Sequence, residues 1–175
     1  LTRARVVSSS VAFRRKVESA IGKALRIERD PGIVARDVLE MRQAIAKTNL
    51  HGLGQEEGDV QAVRLLKGII AKTNSSIFES ANSQPQYAGM GTTLVVALFR
   101  DNRLSVAHIG DSRLYRLRRE QLEQVTRDHS LLQEQIDSGM LTKEAARRSQ
   151  NKNLVTRALG IEAEVEAEIH TYDAQ

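Results

Sequence analysis

The apolar positions follow two regimes that meet at Gly89. Before it, Phe13, Val17, Ala20, Ile21, Ala24 and Leu25 recur at helical spacing, as do Val34, Val38, Met41 and Ile45, and then Val63, Leu66, Ile70, Thr73 and Ile77. Such spacing places each set on one face of a helix. Pro31-Gly32 separates the first helix from the second, and the glycine-rich stretch HGLGQEEGD, His51 to Asp59, connects the second to the third. Asp59 is the expected N-cap of the third helix, since a carboxylate there accepts from the free amides of the first turn. The stretch IAKTN occurs at Ile45 and again at Ile70. A solenoid needs at least about three stacked units, so this reads as similar core faces on neighbouring helices.

Beyond Gly89 the pattern becomes that of strands. Thr92 to Arg100, TTLVVALFR, is β-branched and apolar with no charge before its end. Asp101-Asn102 is a turn pair, and RLSVAHI runs back from Arg103. In LYRLRR, Leu114 and Arg116 face one way and Tyr115 and Leu117 the other. With Gln121 to Val125 this predicts an antiparallel meander. Leu131 to Ser138 and Thr142 to Ser149 predict two short helices about Gly139, the second capped by Thr142. NLVTRALG at Asn153 and VEAEIHTY at Val165 return to strand character, the latter half-buried with an acidic outer face. The expected fold class is α+β in one domain: helical over 1–84, antiparallel strands over 89–128, helical again over 130–150 and strands over 153–175.

Composition changes this picture only by exclusion. With 175 residues and 41% hydrophobic content, the chain can build one real core. It carries no apolar run of about 18 residues, so no membrane span is expected, and its opening lacks the apolar centre of a secretory signal. A cytoplasmic location is expected. The absence of cysteine removes disulfides, thiolate metal sites and a cysteine nucleophile. Twenty-six Lys and Arg against 22 Asp and Glu leave a net charge of +4, with the signs interspersed. Three Phe, three Tyr and no Trp leave little for stacking on bases. The run RLYRLRR from Arg113 splits its arginines over both faces of a strand, so no nucleic-acid partner is expected.

The candidate chemistry sits in AHIGDSRLY, Ala107 to Tyr115, where Asp111 follows a glycine at a strand end. Gly110 permits a tight bend, and Asp111 can then direct its oxygens off the sheet edge. Hard cations such as Mg²⁺ or Mn²⁺ take such oxygens, commonly one or two carboxylates with several waters. The competing reading is a turn in which Asp111 bonds nearby backbone amides.

Three blocks occur in fixed order: GMGTTLVVALF at Gly89, VAHIGDSRLYRLRREQLEQVTRDHSLLQEQIDSGMLT at Val106, and NLVTRALG at Asn153. Together they resemble the metal-dependent PPM-type protein serine/threonine phosphatases, particularly the bacterial branch. The resemblance implies an antiparallel β-sandwich flanked by helices. It also implies attack of metal-activated water on the phosphorus of a phosphoserine or phosphothreonine, with Mg²⁺ or Mn²⁺ as cofactor. The partners it implies are phosphoprotein substrates of a serine/threonine kinase. Asp111 matches the family aspartate that helps bind an additional metal or its water. Ser138 and Gly139 match the flap that governs substrate access. Arg113, His129 and Arg157 match recurring positions and read first as structural: arginines paired with acids, and His129 as a cap or hydrogen-bonding residue.

The family's early Asp-Gly-x-Gly-Gly motif has no copy here. HGLGQ at His51 echoes it with histidine in place of aspartate, and reads as a loop. The later Ser-Asp-Gly and Asp-Asn motifs are also absent. The expectation is a partial domain, incomplete at both ends, with no catalytic residue of its own in this segment. The alternative is a non-catalytic, phosphatase-like binding or regulatory module.

Overall fold

The computed structural model describes residues 31–48, 50, 53–149 and 154–174. The expected helix from Phe13 to Leu25 and the His51-Gly52 echo lie outside these residues.

Pro31–Lys47 forms α1 and Gln55–Ser83 forms α2. Pro31 opens α1, where its missing N–H costs nothing. Met41 and Ile45 of α1 meet Leu66, Ile70 and Ile77 of α2 in one buried cluster, so both IAKTN copies put their isoleucine into the same core.

Helix α2 begins at Gln55, four residues before the expected cap, with Gly54 as N-cap and no side-chain capping bond. Asp59 is instead held by two arginines from distant strands. Arg100 Nη2 donates to Asp59 Oδ1 at 3.0 Å, and Arg103 donates to Oδ2 through Nε at 2.9 Å and Nη2 at 2.6 Å. The hydrogen bond from Arg103 is the largest influence on Asp59, and its carboxyl lies below the usual range although burial opposes the shift. The Arg100 guanidinium lies across the helix where Gly58 has no side chain; a Cβ there would stand 2.3 Å from Cζ. A glycine inside a helix weakens it by roughly 1 kcal/mol, and here it makes room for the ion pair.

Leu94–Arg100 (β1) and Arg103–Ile109 (β2) form a tight antiparallel hairpin, and Glu168–Asp173 (β5) pairs with the other edge of β2. Register puts Leu98, Ala107, Ile109 and Ile169 on the face toward α2, where they join its core. The opposite face carries Val106, His108 and, opposite His108, Glu168.

Tyr115–Arg118 (β3) and Gln121–Gln124 (β4) form a separate two-stranded sheet. The expected single meander is therefore divided: among the described residues β2 turns to β1 and β5, and β3 pairs only with β4. Alternation shows which face a residue takes but not which strand it meets. Arg116 lies 5.9 Å from the centre of the Tyr172 ring, linking this hairpin to β5.

Leu131–Asp137 (α3) and Lys143–Arg148 (α4) are the two short helices. Ser130 and Thr142 cap them, accepting from the amides of Gln133 and Ala145. NLVTRALG forms no strand among the described residues. It contributes only single bridges, Val155 to Ser130 and Leu159 to Thr92. The loop after it is fastened by Asn74 of α2, whose amide donates to the Glu162 and Ala163 carbonyls at 2.9 and 3.0 Å and accepts from the Gly160 N–H at 2.8 Å. Among the described residues no helix is long and apolar enough to cross a membrane.

Candidate functional site

Strand β2 delivers Gly110 and Asp111 to its end. Gly110 has φ +95°, a left-handed conformation that glycine adopts readily. A Cβ there would stand 2.3 Å from Thr93 Cγ2, so the chain also needs the glycine for close approach. Asp111 is half-buried, and among the described residues its carboxylate takes no hydrogen bond or ion pair. The turn reading expected bonds to nearby amides, and these do not form.

The backbone on either side of Asp111 is held. The Gly110 N–H donates to His129 Nδ1 at 3.1 Å, and the His129 N–H donates to the Gly110 carbonyl at 3.0 Å. Beyond Asp111, the Ser112 and Thr93 hydroxyls share a hydrogen bond of 2.7 Å. Arg113 then grips Asp128 through Nε at 2.7 Å and Nη2 at 2.6 Å, which raises its own pKa above the usual guanidinium range. Leu114 N–H donates to Thr126 Oγ1 at 2.9 Å. The base of the β3–β4 hairpin is thus pinned beside Asp111.

Three side chains the sequence did not single out as a group meet behind this loop. His129 stacks on His108 with ring centres 4.7 Å apart and planes 19° from parallel. His129 Nε2 faces Glu168 Oε2 at 3.4 Å, while Glu168 Oε1 takes His170 Nε2 at 2.8 Å. His108 Nε2 contacts the Arg127 carbonyl at 2.6 Å, which makes that nitrogen the protonated one. Burial lowers the His129 pKa, an effect its bond to Glu168 only partly offsets. Burial pulls the Glu168 carboxyl upward, but bonds from His170 and His129 outweigh it and leave it below the usual range. Glu168 had been assigned to an acidic outer face. The β5 register turns it inward to the histidines, and only strand pairing could have revealed this.

His108, His129 and Glu168 each offer a donor atom within 4.8 Å of the others. The hydrogen bonds argue against a metal there. His129 Nδ1 accepts from a backbone amide, so the neutral ring carries its proton on Nε2, the nitrogen a metal would need. Moving that proton to Nδ1 would set two donors head to head at Gly110.

Ser138 and Gly139 lie between α3 and α4, both exposed, with Gly139 at φ +75°. Arg127 binds Asp137 through Nε at 2.9 Å and also through Nη2, fixing the end of α3 just before them. Of the arginines read as acid-paired, Arg113 is paired, whereas Arg157 is exposed and makes no ion pair among the described residues.

The protein phosphatase 2C family model matches residues 32–160. The chain belongs to the protein phosphatase 2C family. It is 41% identical over 103 residues to the serine/threonine phosphatase stp of Listeria monocytogenes, covering 59% of this chain and 41% of that protein. It is 36% identical over 120 residues to the serine/threonine protein phosphatase PstP of Mycobacterium tuberculosis, covering 69% of this chain and 23% of that protein. The chain therefore spans less than half of each of these relatives.

The crystal structure of the M. tuberculosis phosphatase PstP/Ppp superposes with a TM-score of 0.71 at 31% identity, over 82% of this chain and 57% of that one. The catalytic domain of PstP, solved in complex with two manganese ions, superposes at 0.62 with 33% identity, over 81% of this chain and 56% of that one. The α+β architecture with antiparallel sheets is thus that of protein phosphatase 2C structures. Asp111, in the GDSR that prompted the resemblance, lies inside the matched region.

Proposed function

We propose that this chain is part of a protein phosphatase that removes phosphate from phosphoserine and phosphothreonine in proteins, with Mg²⁺ or Mn²⁺ as cofactor and a serine/threonine kinase producing its substrates. The observation that carries the reading is a half-buried carboxylate with no hydrogen-bond or ion-pair partner among the described residues, on a backbone pinned at Gly110 and Ser112, within a matched protein phosphatase 2C region. Oxygen donors held this way fit a hard divalent cation, and the histidine trio does not. When bound, such ions supply Lewis acidity that makes water a stronger nucleophile and offsets charge on the phosphoryl group.

The chain's own part is narrower. Asp111 presents two carboxylate oxygens, unbonded by the other described residues, to an additional metal or its water. Gly110 and Ser112 keep the direction of that side chain constant. Ser138 and Gly139 form the tip of a flap whose base is anchored by Arg127 and Asp137, so the tip can move while the base stays fixed and admits the phosphopeptide.

The test is hydrolysis of a phosphothreonine peptide by the product of the complete reading frame. Activity should rise with Mn²⁺ and vanish with a chelator. Absence of metal-dependent hydrolysis, with the fold intact by circular dichroism, would reject the enzyme reading in favour of a binding or regulatory module.

A further inference from the structure

We propose that His129 is a positioning residue for Asp111: its ring, oriented by Glu168, holds the Gly110 amide and so sets the direction in which the neighbouring carboxylate leaves β2. This rests on the reading of Asp111 as a carboxylate directed at a metal.

His129 holds Gly110 at two points, its ring accepting the Gly110 N–H and its own N–H donating to the Gly110 carbonyl. Both polar groups of one residue are therefore fixed by a single partner. The ring can accept only in the tautomer with its proton on Nε2, and Glu168 Oε2 stands at that nitrogen. Glu168 is itself steadied by His170, and the far face of the His129 ring rests on His108, which is tied to the Arg127 carbonyl. The ring is buried, at 7% exposure, so water does not compete easily for Nδ1. On the other side of Asp111 the Thr93–Ser112 pair completes the support.

The arrangement fixes the backbone while the carboxylate takes no bond from the other described residues. A group that orients a metal-facing carboxylate through its neighbours affects metal affinity by roughly 10- to 100-fold when removed. A side chain that merely fills space affects stability and leaves metal affinity alone.

The experiment uses the full reading-frame product with His129→Phe, which keeps a ring but no acceptor, and His129→Asn, whose carbonyl can occupy the place of Nδ1. Two quantities are read. In metal-free protein, exchange of the Gly110 amide should be slow in wild type and His129→Asn and at least about tenfold faster in His129→Phe. In the activity assay, the Mn²⁺ concentration for half-maximal rate should rise about tenfold in His129→Phe, with the rate at saturating Mn²⁺ retained, and return toward wild type in His129→Asn.

If His129→Phe does not fold, Glu168→Gln serves in its place, with a smaller rise in Mn²⁺ requirement expected. Unchanged Gly110 exchange or unchanged Mn²⁺ requirement in folded His129→Phe, or in Glu168→Gln where that variant takes its place, overturns the positioning role while leaving the phosphatase reading intact. If wild type shows slow Gly110 exchange but no response to Mn²⁺, it is the reading of Asp111 that fails, and the positioning role falls with it.

Discussion

Asn74→Ala tests whether one buried side chain holds the segment before β5 against α2. Asn74 is 1% exposed and makes three hydrogen bonds across the fold. Removing it strands the buried Gly160 N–H, at a cost of about 1–3 kcal/mol. The Glu162 and Ala163 carbonyls belong to exposed residues and can turn to water, so each loses only the net worth of a bond, about 0.5–1 kcal/mol. Alanine is the better helix former by about 0.6 kcal/mol, which offsets part of the loss. The expected net destabilisation is about 1.5–4.5 kcal/mol, or about 3–18 °C in melting temperature for a domain of this size.

Urea unfolding followed by circular dichroism measures it, with the midpoint falling and the slope unchanged. Ser75→Ala, on the exposed side of the same turn, should change stability by less than about 0.5 kcal/mol. Asn74→Asp keeps the acceptor but sets a carboxylate against two carbonyl oxygens, so its penalty should be larger at pH 7 and shrink on acidification. A loss below about 0.5 kcal/mol for Asn74→Ala would show that the loop finds equivalent bonds without it and that the argument is mistaken.

Asp111→Ala should leave the melting temperature within about 1 °C, because the carboxylate makes no hydrogen bond or ion pair among the described residues, yet raise the Mn²⁺ requirement of the full-length product; a lower melting temperature with normal metal response would return Asp111 to the role of a turn residue. Gly110→Ala should cost about 3 kcal/mol, combining left-handed strain with overlap on Thr93, and Thr93→Ser should restore only part, since the backbone strain remains; thermal denaturation of the single and double variants reads both. The His129 pKa in the folded chain lies below its ordinary 6.5, so on acidification the unfolded chain takes up this proton first and stability declines from pH 6.5 downward. Glu168 lies below its ordinary 4.5, so its contribution is complete above that value and is lost as pH falls through the folded value; urea midpoints between pH 3 and 8 should show two declines, and His129→Asn should abolish the upper one and shrink the lower, since the His129 bond is one of those that lower Glu168.

The α+β class and the β1–β2 hairpin were readable because β-branched runs, Asp101-Asn102 and helical spacing are local signals. The capping of α4 by Thr142 was readable for the same reason. The start of α2 was not, because Asp59 is a good capping residue by type and is taken by arginines more than 40 positions away. Asp111 stood out beside its glycine, but its support did not. His129 reaches Gly110 across 19 positions and Glu168 across 39, and the latter meeting depends on a strand register that no local pattern encodes.

That register also orders the assembly of the molecule. The β1–β2 hairpin closes over a tight turn and can form within microseconds. Strand β5 must return across a span of about 70 residues before Arg103 meets Asp173 and Glu168 meets His129. Closing such a loop carries an entropic penalty that only the finished sheet repays, so β5 should dock late. Until it does, His129 lacks the carboxylate that fixes its ring and Gly110 lacks a settled partner. A kinetic experiment should therefore find the β1–β2 amides protected first and the Gly110 amide among the last, so that the strand end carrying Asp111 becomes rigid only when the rest of the sheet is complete.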